Sequence, residues 1–165
     1  MAALKTPHRR NNTLSHSLVR NHLHVVFSTK YRRPIIPREI QPDLWRYMAG
    51  ICRNIRIAPF AINGFDDHAH MLFHLPAALS LARAMSVIKA NSNGWMHRRG
   101  RRFEWQDGYS AFSVSHANTA AVAEYIRNQE AHHRRITFAD ELRMLLRENG
   151  VELSRDEFEH ESAFV

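Results

Sequence analysis

Cysteine is all but missing from this chain: Cys52 stands alone among 165 residues. One thiol allows no internal disulfide, fits a reducing cytosol, and excludes a cysteine-based zinc site. No uninterrupted apolar stretch approaches the ~18 residues that a membrane span needs. The N-terminus carries Lys5, Arg9 and Arg10, but no apolar run with a cleavage site follows them, so no secretory signal is expected. A cytoplasmic protein without membrane association is the expectation. A carboxylate-rich metal set is also missing from the pattern.

Negative charge is scarce as well, and unevenly so. The chain has 23 Lys and Arg against 16 Asp and Glu, a net charge of +7. Residues 1–60 hold eleven Lys and Arg against only Glu39 and Asp43, a net of +9, whereas residues 116–165 hold six against ten, a net of −4. A basic N-terminal half of this kind suits a polyanionic partner, most simply nucleic acid.

What is present is periodicity. Residues 1–17 are polar and basic without any pattern and read as a flexible arm. Residues 22–30 alternate, with Leu23, Val25 and Phe27 on one face and His24, Val26, Ser28 and Lys30 on the other, the mark of a half-buried strand. Ile40, Leu44, Met48, Ile51 and Ile55 recur at helical spacing, predicting a helix over 41–56 with Pro42 in its first turn. A strand is expected over 57–65. A second helix is expected over 79–97, then a basic loop containing Arg98, Arg99, Arg101 and Arg102, then a strand over 109–115 with Phe112 and Val114 on its buried face. Helices over 119–133 and 137–148 complete the chain. This order predicts an α+β fold. It is a ferredoxin-like split βαβ antiparallel sheet with helices on one face and a C-terminal helix over the other.

The stretch Asp66-Asp67-His68-Ala69-His70-Met71-Leu72-Phe73-His74-Leu75 concentrates the chemistry. As a strand it turns Ala69, Met71, Phe73 and Leu75 to one face and His68, His70, Leu72 and His74 to the other. Two imidazoles two residues apart then leave the sheet together, and neutral imidazole is the commonest protein metal ligand. With 12 histidines in the chain, one such pair is expected by chance, and His22-Leu23-His24 is another. A merely polar strand face is the competing explanation.

On the helix over 119–133, Val122, Ile126 and Gln129 fall at relative angles of about 0°, 40° and −20°, with Tyr125 at about −60°. Gln129 is thus polar where burial is expected, and buried amides need partners. Laid on the free face of the sheet, this helix would bring Gln129 to His68 and His70, with the Tyr125 hydroxyl one turn away. Two imidazoles and an amide oxygen would leave positions open on a divalent ion able to polarise a phosphodiester, and a tyrosine can attack as a covalent nucleophile. His132, at about −80°, lies beside Tyr125. His133, at about 20°, reads as packing. His74 reads as a surface histidine. At the end of the first strand, Lys30, Arg32 and Arg33 are candidate phosphate contacts, and the arginines of the 98–102 loop are further ones.

Four segments resemble a known family. They are His24-Val25-Val26-Phe27-Ser28-Thr29-Lys30-Tyr31-Arg32, Asp67-His68-Ala69-His70-Met71-Leu72, Trp105-Gln106-Asp107-Gly108-Tyr109-Ser110-Ala111-Phe112-Ser113-Val114-Ser115, and Tyr125-Ile126-Arg127-Asn128-Gln129-Glu130-Ala131-His132-His133. In order and spacing they are similar to the single-tyrosine HUH transposases of insertion sequences that move as single-stranded DNA, and to their REP-associated relatives. The likeness covers residues 18–155, taken here as the catalytic domain, with 156–165 as a tail. It implies a homodimer, a Mg²⁺ or Mn²⁺ ion on His68, His70 and Gln129, and Tyr125 as nucleophile. It also implies cleavage of single-stranded DNA, at hairpin ends, through a 5′-phosphotyrosine that leaves a free 3′-OH. His24 and His132 are possible accessory residues. Ala69 stands where the family usually has valine, which bears on packing and not on ligation.

Other readings stand beside this one. A domesticated relative could bind hairpin DNA or RNA without cutting it. The RNA-recognition fold shares the element order, but its aromatics stack bases from one face, and Tyr109 and Phe112, three apart, fall on opposite faces. A metal-dependent hydrolase lacks its expected carboxylates.

Overall fold

The computed structural model describes residues 18–154 and 156. The arm at 1–17 and all of the tail but Asp156 lie outside the described residues. The elements are β1 (His22–Ser28), α1 (Gln41–Asn54), β2 (Ala58–Gly64), β3 (His68–His74), α2 (Leu81–His97), β4 (Ser110–Ser113), α3 (Thr119–Arg127), α4 (Gln129–His132) and α5 (Phe138–Glu148). The strands form one sheet in the order β2-β3-β1-β4, with every neighbouring pair antiparallel. This is the expected ferredoxin-like order. No helix among the described residues is long and apolar enough to cross a membrane.

Alternation along the two central strands separates two unlike layers. Val25 and Phe27 of β1 and Ala69, Met71 and Phe73 of β3 are fully buried on one face, against Leu44, Met48, Met85 and Ile88 of α1 and α2. Their burial contributes on the order of 2 kcal/mol per large side chain. The other face carries His24, Val26, His68, His70 and Leu72, and α3, α4 and α5 cover it. Two small apolar clusters seal that cover. Val26 and Phe112 meet Phe138 and Leu142 of α5, and Leu72 and Ala61 meet Ala123 and Ile126 of α3.

The structure moves several sequence boundaries. Phe112 and Val114 do not join the layer beneath α1 and α2. Phe112 is the cross-strand partner of His24, and directly opposed residues share a face, so it lies with the histidines. β1 ends at Ser28, not at residue 30. Tyr31 (φ 60°) and Arg32 (φ 50°) are both left-handed, a conformation that costs roughly 1–2 kcal/mol for each non-glycine residue. The helix predicted over 119–133 breaks at Asn128 (φ −93°, ψ 17°), whose amide NH₂ donates back to the Glu124 carbonyl and carboxylate. At the β2–β3 hairpin the backbones approach so closely that a Cβ on Gly64 would lie 2.1 Å from the His68 carbonyl oxygen and 2.9 Å from the Ala69 Cα. Only glycine fits there.

Candidate metal and tyrosine centre

His68 and His70 start β3 on the covered face, and both are fully buried. Each ring is held from its Nδ1 side. The Asp67 carboxylate sits 2.6 Å from His68 Nδ1, and His24 Nε2 sits 2.9 Å from His70 Nδ1. This outer set of partners fixes ring orientation and leaves each Nε2 aimed inward. Phe138 stacks flat on His68, with ring centroids 4.1 Å apart.

The atoms at the centre come from α3, α4 and α5. Gln129 is fully buried, and its Oε1 lies 3.4 Å from His68 Nε2. Its amide NH₂ donates to Glu141 Oε1 at 2.9 Å. The Tyr125 hydroxyl donates to the same Glu141 oxygen. Glu141 Oε2 lies 3.0 Å from His133 Nε2, 3.4 Å from His70 Nε2 and 3.8 Å from His68 Nε2. His132 Nε2 is 3.5 Å from Glu141 Oε1, with its ring against that of Tyr125 at 5.2 Å.

Glu141 is therefore the hub of the site, a carboxylate absent from the sequence-based expectation. The signal was available. Phe138, Leu142 and Leu145 of α5 turn inward, and Glu141 lies about 60° from Phe138 on that same stripe. It is as misplaced among apolar neighbours as Gln129. His133, expected to pack, faces this hub instead. The break at Asn128 resets the helical phase, so angles counted from Val122 do not carry to residue 133.

The atoms suit a cation. Imidazole nitrogens of His68, His70 and His133 and a carboxylate oxygen of Glu141 all lie within 4.8 Å of one another. His70 Nε2, His133 Nε2 and Glu141 Oε2 are buried, yet none forms an aligned hydrogen bond. Buried polar atoms without partners are costly. His133 Nδ1 is 3.1 Å from the Ile136 carbonyl, an acceptor-only group, so in the neutral ring the proton sits on Nδ1 and Nε2 carries the lone pair.

The electrostatics agree. Burial lowers His70 to about 4, against a partial pull upward from Glu141. Burial and the nearby His70 lower His24 to about 3. Both are neutral at pH 7, the form that ligates metal. Burial raises the Glu141 carboxyl, but the facing His133 and His70 and the Tyr125 hydroxyl outweigh it and hold the group well below the usual carboxylate range. Burial, and then the Glu141 charge, push Tyr125 far above an ordinary phenol. Left as it is, this phenol is a weak nucleophile. A cation placed among the ligand atoms would draw the Glu141 charge away from it.

Of the predicted phosphate contacts, Lys30, Arg32 and Arg33 lie in the turn that leaves β1 beside this centre, where the Thr29 amide donates to the Asp67 carbonyl at 2.7 Å. Lys30 also pairs with Glu104 at 2.8 Å. The arginines of the 98–102 loop are not brought to the centre. Arg99 stacks on Trp95 at 3.5 Å, Arg98 donates to the Tyr47 hydroxyl and Arg101 faces Glu39 at 3.6 Å. These contacts lie in the α1–α2 layer. His74 Nε2 meets the Val19 carbonyl, away from the hub.

Residues 17–129 match the profile of the family described as "Transposase IS200 like". The chain is 29% identical over 128 residues to the transposase for insertion sequence element IS200 of Salmonella typhimurium LT2, covering 71% of this chain and 82% of that one. The counterpart from Salmonella typhi gives the same figures. Two solved structures share the fold. A candidate transposase of Deinococcus radiodurans R1 superposes with a TM-score of 0.55 at 20% identity, over 70% of this chain and 95% of that one. A REP-associated tyrosine transposase bound to a REP hairpin gives 0.56 at 15% identity, over 80% and 76%.

Proposed function

The chain belongs to the IS200-like transposase family, and from that premise we propose that it cuts and rejoins single-stranded DNA with Tyr125 as its nucleophile. One observation carries this reading. The Tyr125 hydroxyl and the Nε2 atoms of His68, His70 and His133 converge on a single buried carboxylate, Glu141.

In this reading His68, His70 and Gln129 hold a divalent ion, with His133 and Glu141 beside them as additional ligand atoms. An imidazole-rich set favours Mn²⁺ over Mg²⁺. When bound, the ion supplies charge neutralisation for the phosphodiester under attack. The protein's own groups do the rest. Asp67 and His24 orient the two strand imidazoles, and Gln129 ties α4 to β3. Glu141 Oε1 holds the Tyr125 hydroxyl in position, and the phenolic proton passes to water as the oxygen attacks. The phenolic oxygen then forms a bond to phosphorus, and the bond from phosphorus to the 3′ oxygen breaks. That oxygen leaves as a free 3′-OH, protonated from the site or from water. The phosphotyrosine keeps the bond energy, so the reverse attack rejoins the strand without ATP. Hairpin ends of a single-stranded element are the proposed substrate, and a homodimer the proposed working form. The REP hairpin in the structural relative supports the substrate class.

The test is incubation with single-stranded DNA bearing hairpin ends, with Mn²⁺ or Mg²⁺, followed by denaturing electrophoresis for a covalent adduct. Wild type should form one and Tyr125→Phe should form none while still binding DNA. A full-strength adduct in Tyr125→Phe would mean another nucleophile. Hairpin binding with no adduct in wild type would favour the non-cleaving reading.

A further inference from the structure

The turn that leaves β1 is built at a cost that packing does not repay. Tyr31 and Arg32 are consecutive left-handed residues, neither of them glycine, and no residue of Lys30–Arg32 is buried. The Tyr31 side chain is exposed, at 71%. The charged groups that flank its ring are Lys30 Nζ and Arg33 Cζ, each 5.9 Å from the centroid.

The backbone underneath is locked. The Arg32 amide donates to the Thr29 carbonyl at 2.8 Å, and the Thr29 hydroxyl donates to the Arg33 carbonyl at 2.6 Å. The Lys30 amide donates to the Glu104 carbonyl at 2.8 Å, and the Tyr31 amide to Gln106 Oε1 at 3.2 Å. The 106–108 loop is pinned in turn by the ammonium of Lys89, which donates to the Gln106 carbonyl at 2.7 Å and to that of Gly108. A strained backbone held by this many bonds points to function. The turn is also coupled to the candidate centre, because Asp67 accepts from the Thr29 amide and sets the His68 ring.

We propose that Tyr31 is a stacking platform for one unpaired base of the DNA strand entering the site, with Lys30 and Arg33 on its flanking phosphates. A flat ring held out among cations is the form that single-strand binding takes, since every base has a π-face and every nucleotide a charge. The proposal rests on the single-stranded-DNA reading above. It adds a contact to a base, set at the rim of the centre by a rigid turn.

The test uses the full chain in a Tyr125→Phe background, so that binding is read without cleavage. The probe is a short thymine-rich oligonucleotide carrying 2-aminopurine at successive positions, titrated at several salt concentrations. Tyr31→Ala should weaken binding about tenfold and abolish 2-aminopurine quenching at one position. Tyr31→Phe should keep both within about twofold, since only the ring stacks. The slope of log Kd against log salt should be unchanged in both, whereas Arg33→Ala should lower it by about 0.7. Melting temperatures of the Tyr31 variants should match their parent, because alanine and phenylalanine meet the same backbone demand. Equal binding by Tyr31→Ala overturns the platform and leaves the DNA reading standing. So does a Tyr31→Phe loss as large as that of alanine. A change in sedimentation without a change in DNA binding would assign the ring to a contact between copies. No binding of single-stranded DNA by the parent overturns both readings together.

Discussion

The two faces of this sheet are built from the same four strands and do opposite things. Beneath α1 and α2 the contacts are mainly aliphatic and aromatic, and the polar atoms are few: Trp105 Nε1 donates to Ser92 Oγ at 2.8 Å, and Trp45 Nε1 is buried without a partner. Beneath α3, α4 and α5 a carboxylate, an amide, a phenol and several imidazoles are packed as tightly, with buried nitrogens left unpaired. The first face gains stability from burial, whereas the second spends part of it to hold charge and lone pairs in one place. The comparison teaches that burial alone does not separate core from site. His68 and Phe73 are both fully buried, and only the company each keeps tells them apart.

Substitutions should expose that difference. Phe73→Ala on the apolar face should cost about 3–5 kcal/mol of stability, with or without metal, and leave adduct formation per folded molecule unchanged. A metal-dependent stability loss in that variant would erase the distinction between the faces.

Acid should act on the other face. His24 and His70 sit below an unfolded value of 6.5, so their contribution is complete above pH 6.5 and is lost as the pH falls through 4 and 3. For His70 alone this is on the order of 3 kcal/mol. His133, held down by burial but raised overall by Glu141, acts in a different window: its contribution is complete below pH 6.5 and is lost only as the pH rises above that value. The melting temperature of the metal-free protein should therefore fall between pH 6.5 and 4. The fall should be shallower in His24→Phe, where the new ring meets Phe112 and Tyr125. The same slope in that variant would show that His24 is not part of the acid response.

Metal should restore what the polar face gives up. At a hundredfold excess over its Kd, Mn²⁺ should raise unfolding stability by about 2.7 kcal/mol. His70→Ala should remove that gain, as read by thermal melts with and without chelator. The smallest of these effects belongs to Gln129. Gln129→Ala should weaken Mn²⁺ affinity and slow adduct formation, and Gln129→Glu should recover part of both. If Gln129 is only a satisfied amide, alanine should instead cost about 1–3 kcal/mol with metal dependence unchanged, and titration beside single-turnover cleavage separates the two.

The element order and the two faces of β1 and β3 were legible because period-2 alternation survives in a half-buried strand. Gln129 could be placed because a polar residue interrupted an apolar helix stripe, and the structure sets it 3.4 Å from His68. Glu141 broke its own stripe in the same manner, but it looked like one more surface charge in an acidic C-terminal third. His133 was out of reach for a geometric reason, since the break at Asn128 is made by a side chain returning to its own helix and no periodicity reports that. The left-handed turn at Tyr31 was invisible because neither residue is glycine, so the usual marker of that conformation is absent.

The crowding at Gly64 has an evolutionary consequence. The position has no functional group to lose, yet one added methyl would collide with the carbonyl of His68 and displace the strand that carries both imidazoles. A lineage could silence this protein there while keeping every residue of the site intact. The sequence would still advertise the activity, and the backbone would no longer supply it.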